Sequence, residues 1–312
     1  MIIAHRGASG YLPEHTLPAK ALAYAMGADF LEQDVVASRD DELIVMHDIH
    51  LDRVTDVAAA FPTRARDDGR YYVRDFDLDE LRSLHVWERM NADGTPVYPD
   101  RFPTRSGSFR IHTLAEELNL VSGLNASTGY NAGVYPEIKR PAWHRQEGVD
   151  IAPQMLAILA DFDYTDRSDN VYLQCFDAQE LVRIRSELKC ELKLVQLIGE
   201  NSWGESDTDY ELLRTEEGLR LLADTVDAIG PWLEHLYKLG SDGPESTGLV
   251  EAAHALSLDA HPYTLRLDSL PDGFGSFEAL VRFVVGALSV DGLFTDFPDL
   301  VGQIIHSRET PD

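Results

Sequence analysis

Eight strand-like runs alternate with helix-like stretches along nearly the whole chain, and that alternation constrains the fold more than any other feature. The runs are Ile2 to His5, Phe30 to Asp34, Val134 to Lys139, Val171 to Phe176, Leu192 to Ile198, Val226 to Gly230, Leu258 to Thr264 and Gly292 to Asp296. Each is short, largely apolar and bounded by turn formers or charged residues. Between most of them lie stretches that read as helices: Thr16 to Met26, Thr113 to Leu124, Ile151 to Ala160, Ala178 to Leu188, Gly218 to Thr225, Thr247 to Leu256 and Ser276 to Leu288. Eight strand–helix units predict an α/β fold, a closed parallel (β/α)8 barrel of TIM type wrapped by helices.

Two departures from strict alternation matter. Leu43 to His47 also reads as a strand, yet it follows Val35 to Ser38 after only Arg39-Asp40-Asp41-Glu42. That is too short for a parallel crossover, so the run is expected to return as the second arm of a hairpin and bring His47 back over the barrel rim. The second departure is the stretch from Asp52 to Arg110, too long for a plain loop. It is expected to form a small subdomain inserted into a single barrel domain of residues 1–312 and to cover the mouth of the barrel.

With 54 acidic side chains against 27 basic ones, the formal charge is -27. A field of that sign repels nucleic acid and anionic membrane surfaces. No apolar stretch reaches membrane-spanning length, so no stable membrane insertion is expected. Cys175 and Cys190 are too few for a disulfide framework, and Cys175 falls where a small buried hydrophobe belongs.

The candidate chemistry lies at the ends of the strand-like runs. Side chains alternate along a strand, so Glu32 and Asp34 share one face while Gln33 takes the other, and Glu137 and Lys139 likewise share a face. Barrel active sites are built from the late positions of several strands, where His5, Glu32, Asp34, Glu137 and Lys139 all fall. An oxygen-only set of Glu32, Asp34 and Glu137 suits Ca²⁺ or Mg²⁺ better than zinc. Arg6 offers a planar guanidinium able to hold two phosphate oxygens, and Lys139 adds a point charge. Any one of these acids alone is more often a solvated strand-end charge, but a structural reading must explain every member of the set separately. The Gly7-Ala8-Ser9-Gly10 segment lacks the lysine and spacing of a nucleotide-binding loop and reads as turn chemistry.

The strings HRGASGYLPEHT, LEQDVV, VMHD, YPEIK, VYLQCFD, HPYT and GLFTDFP together span most of the chain. In them the sequence resembles the bacterial glycerophosphodiester phosphodiesterases, with the greatest likeness to their larger exported branch. The resemblance implies metal-dependent hydrolysis of glycerophosphodiesters, such as glycerophosphocholine, to sn-glycerol 3-phosphate and an alcohol. It implies Glu32, Asp34 and Glu137 as metal ligands, with Ca²⁺ favoured and Mg²⁺ the alternative, and His5 and His47 as the acid–base pair. Glu14 would orient the residues around the reacting centre. His15, His50, His85, His112, His144, His235, His254 and His306 are read as packed or exposed side chains.

Phe176, Tyr263 and Phe294 have the parity to line a pocket for the glycerol moiety, Tyr263 standing where many relatives carry tryptophan. Resemblance to the exported branch places the protein in the periplasm if a signal segment has been removed, and in the cytoplasm if Met1 is the native start. Two other readings share these residues: a cyclising enzyme of the phospholipase D type on the same barrel, and a non-catalytic phosphodiester-binding protein.

Overall fold

Eight parallel strands run in the spatial order β10-β7-β6-β5-β4-β2-β1-β11. In this computed structural model, which describes residues 1–307, the strands are β1 Ile2–Ala4, β2 Phe30–Ala37, β3 Leu43–Val45, β4 Gly133–Ile138, β5 Tyr172–Cys175, β6 Lys193–Ile198, β7 Ala228–Pro231, β8 Tyr237–Gly240, β9 Gly243–Ser246, β10 Asp259–Ala260 and β11 Leu293–Thr295. The ring closes where Phe294 N–H donates to Pro262 O at 2.9 Å and Leu265 N–H donates to Phe294 O at 2.8 Å. The predicted barrel is thus present, with β3 antiparallel to the end of β2, pairing Val35 with Val45 and Ala37 with Leu43. That hairpin delivers His47 as expected. The short β8–β9 hairpin has no counterpart in the sequence reading.

Strand parity divides the core into layers. Ile3, Phe30, Tyr135, Tyr172, Val195, Ala228 and Phe294 fill the barrel interior, while the opposite faces pack against the surrounding helices in the main core. Residues 52–110 bury their own cluster, including Val54, Val73, Phe76, Leu81 and Leu84, against Leu51 and against Val36, Ile44 and Met46 at the β2–β3 hairpin. One short helix there, Leu78–Ser83, starts with a capping box between Asp77 and Glu80. It satisfies otherwise unpaired N–H groups of the first turn.

A polar network lies beneath the mouth, between the barrel wall and the helix Leu114–Thr128. Lys20 and Glu117 are fully buried, with Lys20 Nζ 2.9 Å from Glu117 Oε1. Gln33 Nε2 donates to the same carboxylate at 2.8 Å, His112 Nε2 contacts its other oxygen at 2.7 Å, and Lys20 Nζ also donates to the Glu32 carbonyl. Burial would raise the Glu117 pKa, but Lys20 and His112 outweigh it and bring the group from 4.5 down to about 2. A folded-state pKa below the unfolded one stabilises the native state above the unfolded value, and that contribution fades as pH falls from 4.5 towards 2. Lys20→Met strands the buried carboxylate and is expected to cost about 3–5 kcal/mol at neutral pH. Urea unfolding at neutral pH and across that acid window checks both the loss and its pH dependence.

Candidate active site

The turn after β1 places the first groups. Arg6 and Gly7 both take positive φ, 59° and 92°. A Cβ at Gly7 would lie 2.8 Å from the Ala19 carbonyl carbon, so only glycine fits this close approach. In this turn the Arg6 N–H donates to Glu32 Oε2 at 2.6 Å, and Arg6 Nη1 donates to both Glu14 oxygens at 3.0 Å. Arg6 Nε lies 3.6 Å from Asp34 Oδ2 and donates to no group among the described residues.

β2 and β4 run side by side with Glu32 paired to Tyr135 and Asp34 to Glu137. This register groups Glu32, Asp34 and Glu137 at the mouth, each no more than 5% exposed. Lys139 Nζ stands 2.9 Å from Glu137 Oε1, 3.7 Å from Asp34 Oδ1 and 3.4 Å from His47 Nε2. Burial, with the neighbouring Asp34 charge, pushes both Glu32 and Glu137 well above the ordinary carboxylate range. At Asp34, Lys139, His47 and His15 overcome the burial penalty and hold the group ionised.

Each candidate catalytic histidine has its Nδ1 tied to a carboxylate, leaving Nε2 turned towards the cavity, where that of His47 meets only Lys139 Nζ at 3.4 Å among the described residues. His5 Nδ1 is 2.6 Å from Asp296 Oδ1, and His47 Nδ1 is 2.5 Å from Asp48 Oδ1. Both aspartates stay ionised despite burial, Asp296 through Arg266, His5 and Arg101, Asp48 through Arg89 and His47. Burial and the Arg6 charge bring the His5 pKa to about 3, and burial, Arg6 and Lys139 lower that of His47. Both imidazoles are therefore neutral at neutral pH before an anion arrives.

One cavity brings together His5, Arg6, Glu32, Asp34, His47, Glu137, Lys139, Phe176, Tyr263 and Phe294. Phe294 forms part of its floor, packed edge-on to Tyr135 at 5.1 Å, and Phe176 and Tyr263 meet edge-to-face at 6.0 Å on the wall. Glu14 stays outside and faces an adjoining cleft, bonded to Arg6 and Arg89, as a supporting group would be.

His15, read from the sequence as a packed or exposed side chain, is packed, and its position beside Asp34 adds what that reading lacked. It groups with Glu32 and Asp34 closely enough to suggest a metal site, and its Nε2 is 2.7 Å from Asp34 Oδ2. Burial, followed by the Lys20 charge, lowers its pKa to about 4. A neutral ring donating from Nε2 leaves Nδ1 as an acceptor, which has no partner among the described residues. His15 thus orients Asp34. Trp203, Glu205, Trp232 and Arg266 also line the cavity and carried no recognised sequence signal.

The family model for the glycerophosphoryl diester phosphodiesterases matches residues 5–300. The chain belongs to that family. It is 43% identical to a glycerophosphodiester phosphodiesterase of Haemophilus influenzae, over 96% of this chain and 88% of the relative. A protein of the same name from Treponema pallidum is 39% identical, over 96% of this chain and 90% of the relative. Among solved structures, a protein from Silicibacter pomeroyi superimposes with a TM-score of 0.73 at 23% identity, covering 98% of this chain and 93% of the other. A phosphodiesterase of Oleispira antarctica, solved in complex with its product sn-glycerol-3-phosphate, gives a TM-score of 0.66 at 19% identity, over 98% and 96% of the two chains. At those identities the structural likeness speaks for the fold, while the sequence relatives carry the phosphodiesterase assignment.

Proposed function

We propose that this phosphodiesterase hydrolyses glycerophosphodiesters, deacylated phospholipids such as glycerophosphocholine, to sn-glycerol 3-phosphate and the free alcohol. The observation that carries the mechanism is the pair of histidines, each with Nδ1 on a buried aspartate and both in a cavity with Arg6 and Lys139. Cationic Arg6 and Lys139 draw the phosphodiester anion in and face its non-bridging oxygens. Negative charge between the imidazoles favours their protonated forms. One imidazole accepts the proton of the attacking hydroxyl as the new P–O bond forms. The other gives a proton to the leaving alkoxide as the old bond breaks. The attacking oxygen is that of water, which gives glycerol 3-phosphate directly, or of the glycerol hydroxyl next to the ester, which expels the alcohol and leaves a cyclic phosphate that water then opens.

Three buried carboxylates, two of them strained towards protonation, form a donor set that fits a divalent cation. Glu32, Asp34 and Glu137 would hold it; their all-oxygen character suits Ca²⁺ and Mg²⁺ alike, and the resemblance to the exported branch favours Ca²⁺. Bound there, it supplies charge neutralisation at the phosphoryl oxygens. The deciding assay incubates the protein with glycerophosphocholine and either cation, with and without EDTA, followed by enzymatic detection of glycerol 3-phosphate. No product under any metal condition overturns the proposal. A cyclic phosphate as the final product on ³¹P NMR would favour the cyclising reading.

Alcohol selection has structural candidates as well. None of residues 52–110 lines the cavity that holds the carboxylate cluster, although Arg89, Val97, Tyr98 and Arg101 line the adjoining cleft; Trp203 and Trp232, with ring centroids 5.2 Å apart, line that cavity beside Glu205. Aromatic faces near a carboxylate suit a quaternary ammonium. A cation over a partly exposed ring gains about 0.5–1 kcal/mol. Trp203→Ala and Trp232→Ala are each expected to raise KM for the choline ester about two- to fivefold relative to the glycerol ester. Steady-state kinetics on the two substrates provides the check.

A further inference from the structure

We propose that the 52–110 insertion sets the acid–base pair: Arg89 and Arg101 are positioning residues that fix the carboxylates on which His47 and His5 are held. Arg89 Nη1 donates to Asp48 Oδ2 at 2.6 Å, while Asp48 Oδ1 is 2.5 Å from His47 Nδ1. On the other flank, Arg101 Nη2 donates to Asp296 Oδ2 at 2.7 Å, while Asp296 Oδ1 is 2.6 Å from His5 Nδ1. Each aspartate thus gives one oxygen to an imidazole and the other to an arginine of the insertion. A carboxylate fixed at a single oxygen can rotate about its terminal bond, whose torsion is broad. Fixing the second oxygen settles the carboxylate plane and, through it, the imidazole.

The arginines are themselves immobilised. Arg89 clasps Glu14 with Nε at 3.0 Å and Nη2 at 2.6 Å, and Glu14 in turn holds Arg6. Arg101 clasps Asp268 at 2.7 and 3.0 Å, donates from Nη1 to Ser9 O at 3.1 Å, and lies under the Tyr98 ring at 3.7 Å. Their backbones belong to the inserted unit, where Val97 N–H donates to Arg89 O and Met90 N–H to Arg53 O. The two flanks differ in one respect that makes the inference quantitative. Asp296 Oδ2 also receives Arg266 Nε at 2.8 Å, whereas Arg89 is the only side-chain donor to Asp48 Oδ2 among the described residues. Losing Arg89 should therefore cost more than losing Arg101.

This inference rests on His5 and His47 being the proton-transfer pair, and the test separates the two ideas. The measurements are kcat and KM on glycerophosphocholine for Arg89→Met, Arg89→Lys and Arg101→Met, each also in a His47→Ala or His5→Ala background, with Ca²⁺ binding alone followed by calorimetry. Arg89→Met is expected to lower kcat about 10–100-fold, the range typical of groups that orient reactive ones. KM and Ca²⁺ affinity should change less than about twofold, because Arg6 keeps its own bonds from Nη1 to both Glu14 oxygens when Arg89 is lost. Arg89→Lys, which keeps the charge but loses the fork, should fall between wild type and Arg89→Met. If Arg89→Met fails to fold, the lysine variant alone carries the test.

The decisive arm is the double variant, because an arginine acting through His47 has nothing left to act on in His47→Ala and should cost nothing further there. The same holds for Arg101 with His5. An arginine variant that slows the histidine-deleted enzyme by the same factor as wild type overturns the inference, as does a rise in KM with kcat unchanged. Near-normal turnover of His47→Ala itself would instead strike the acid–base assignment beneath it.

Discussion

His5→Ala and His47→Ala are each expected to lower kcat by about 10²–10⁴-fold with the fold retained, the range set by a positioned acid or base. The expectation follows from the symmetry of their surroundings. Each ring has one nitrogen committed to an ionised aspartate and lies in the cavity that Arg6 and Lys139 share. The aspartates favour imidazolium whenever it forms, while burial and Arg6 favour the neutral ring until the substrate's charge arrives. Each ring can thus change protonation state within the reaction. His5 is buried and its ring stands edge-on to Phe294 at 6.4 Å, so the alanine variant is checked for folding as well as for activity. Kinetics on glycerophosphocholine with circular dichroism on the same samples decides the matter: full activity in either variant removes that histidine from the mechanism.

Residues on strands were legible in the sequence because a two-residue period fixes where they point. Glu32 and Asp34 reach the mouth together while Gln33 turns outward to Glu117, as the parity demands. The barrel itself followed from counting strand–helix units. Its last closure was less legible: the predicted run Leu258 to Thr264 is a ladder only at Asp259–Ala260, and beyond it Pro262 offers no N–H, so closure passes through isolated pairs such as Leu265 with Thr295. Side chains on turns and loops have no such period. His15 sits in the turn before the first helix, and its approach to Asp34 depends on tertiary folding. Arg89 and Arg101 meet partners 41 and 195 residues away in sequence, beyond what any local pattern encodes. One signal was available and carried no assigned role: Asp296, in the GLFTDFP string, follows the last barrel strand and so belongs at the rim beside His5.

Removing a carboxylate from the Glu32, Asp34 and Glu137 cluster is expected to weaken metal binding and turnover together. Even partners outside a metal's direct ligands typically change affinity or activity about 10–100-fold, so Asp34→Asn should weaken divalent-cation affinity at least about 100-fold. Asp34 should be the most damaging position. It lies between Glu32 on its own strand and Glu137 on β4, and it alone accepts from His15 while facing Lys139. The cluster also makes a prediction about protons. Without a cation, burial and the Asp34 charge favour protonated Glu32 and Glu137, and a cation bound there needs them ionised. Metal binding should therefore release protons, and affinity should rise with pH as those groups lose theirs. Calorimetry with Ca²⁺ and with Mg²⁺ in buffers of different ionisation enthalpy measures both quantities. Unchanged affinity in Glu32→Gln, Asp34→Asn and Glu137→Gln would move the metal elsewhere. Binding without proton release would mean that the three carboxylates already coexist ionised, with Arg6, Lys20 and Lys139 sufficient to balance them.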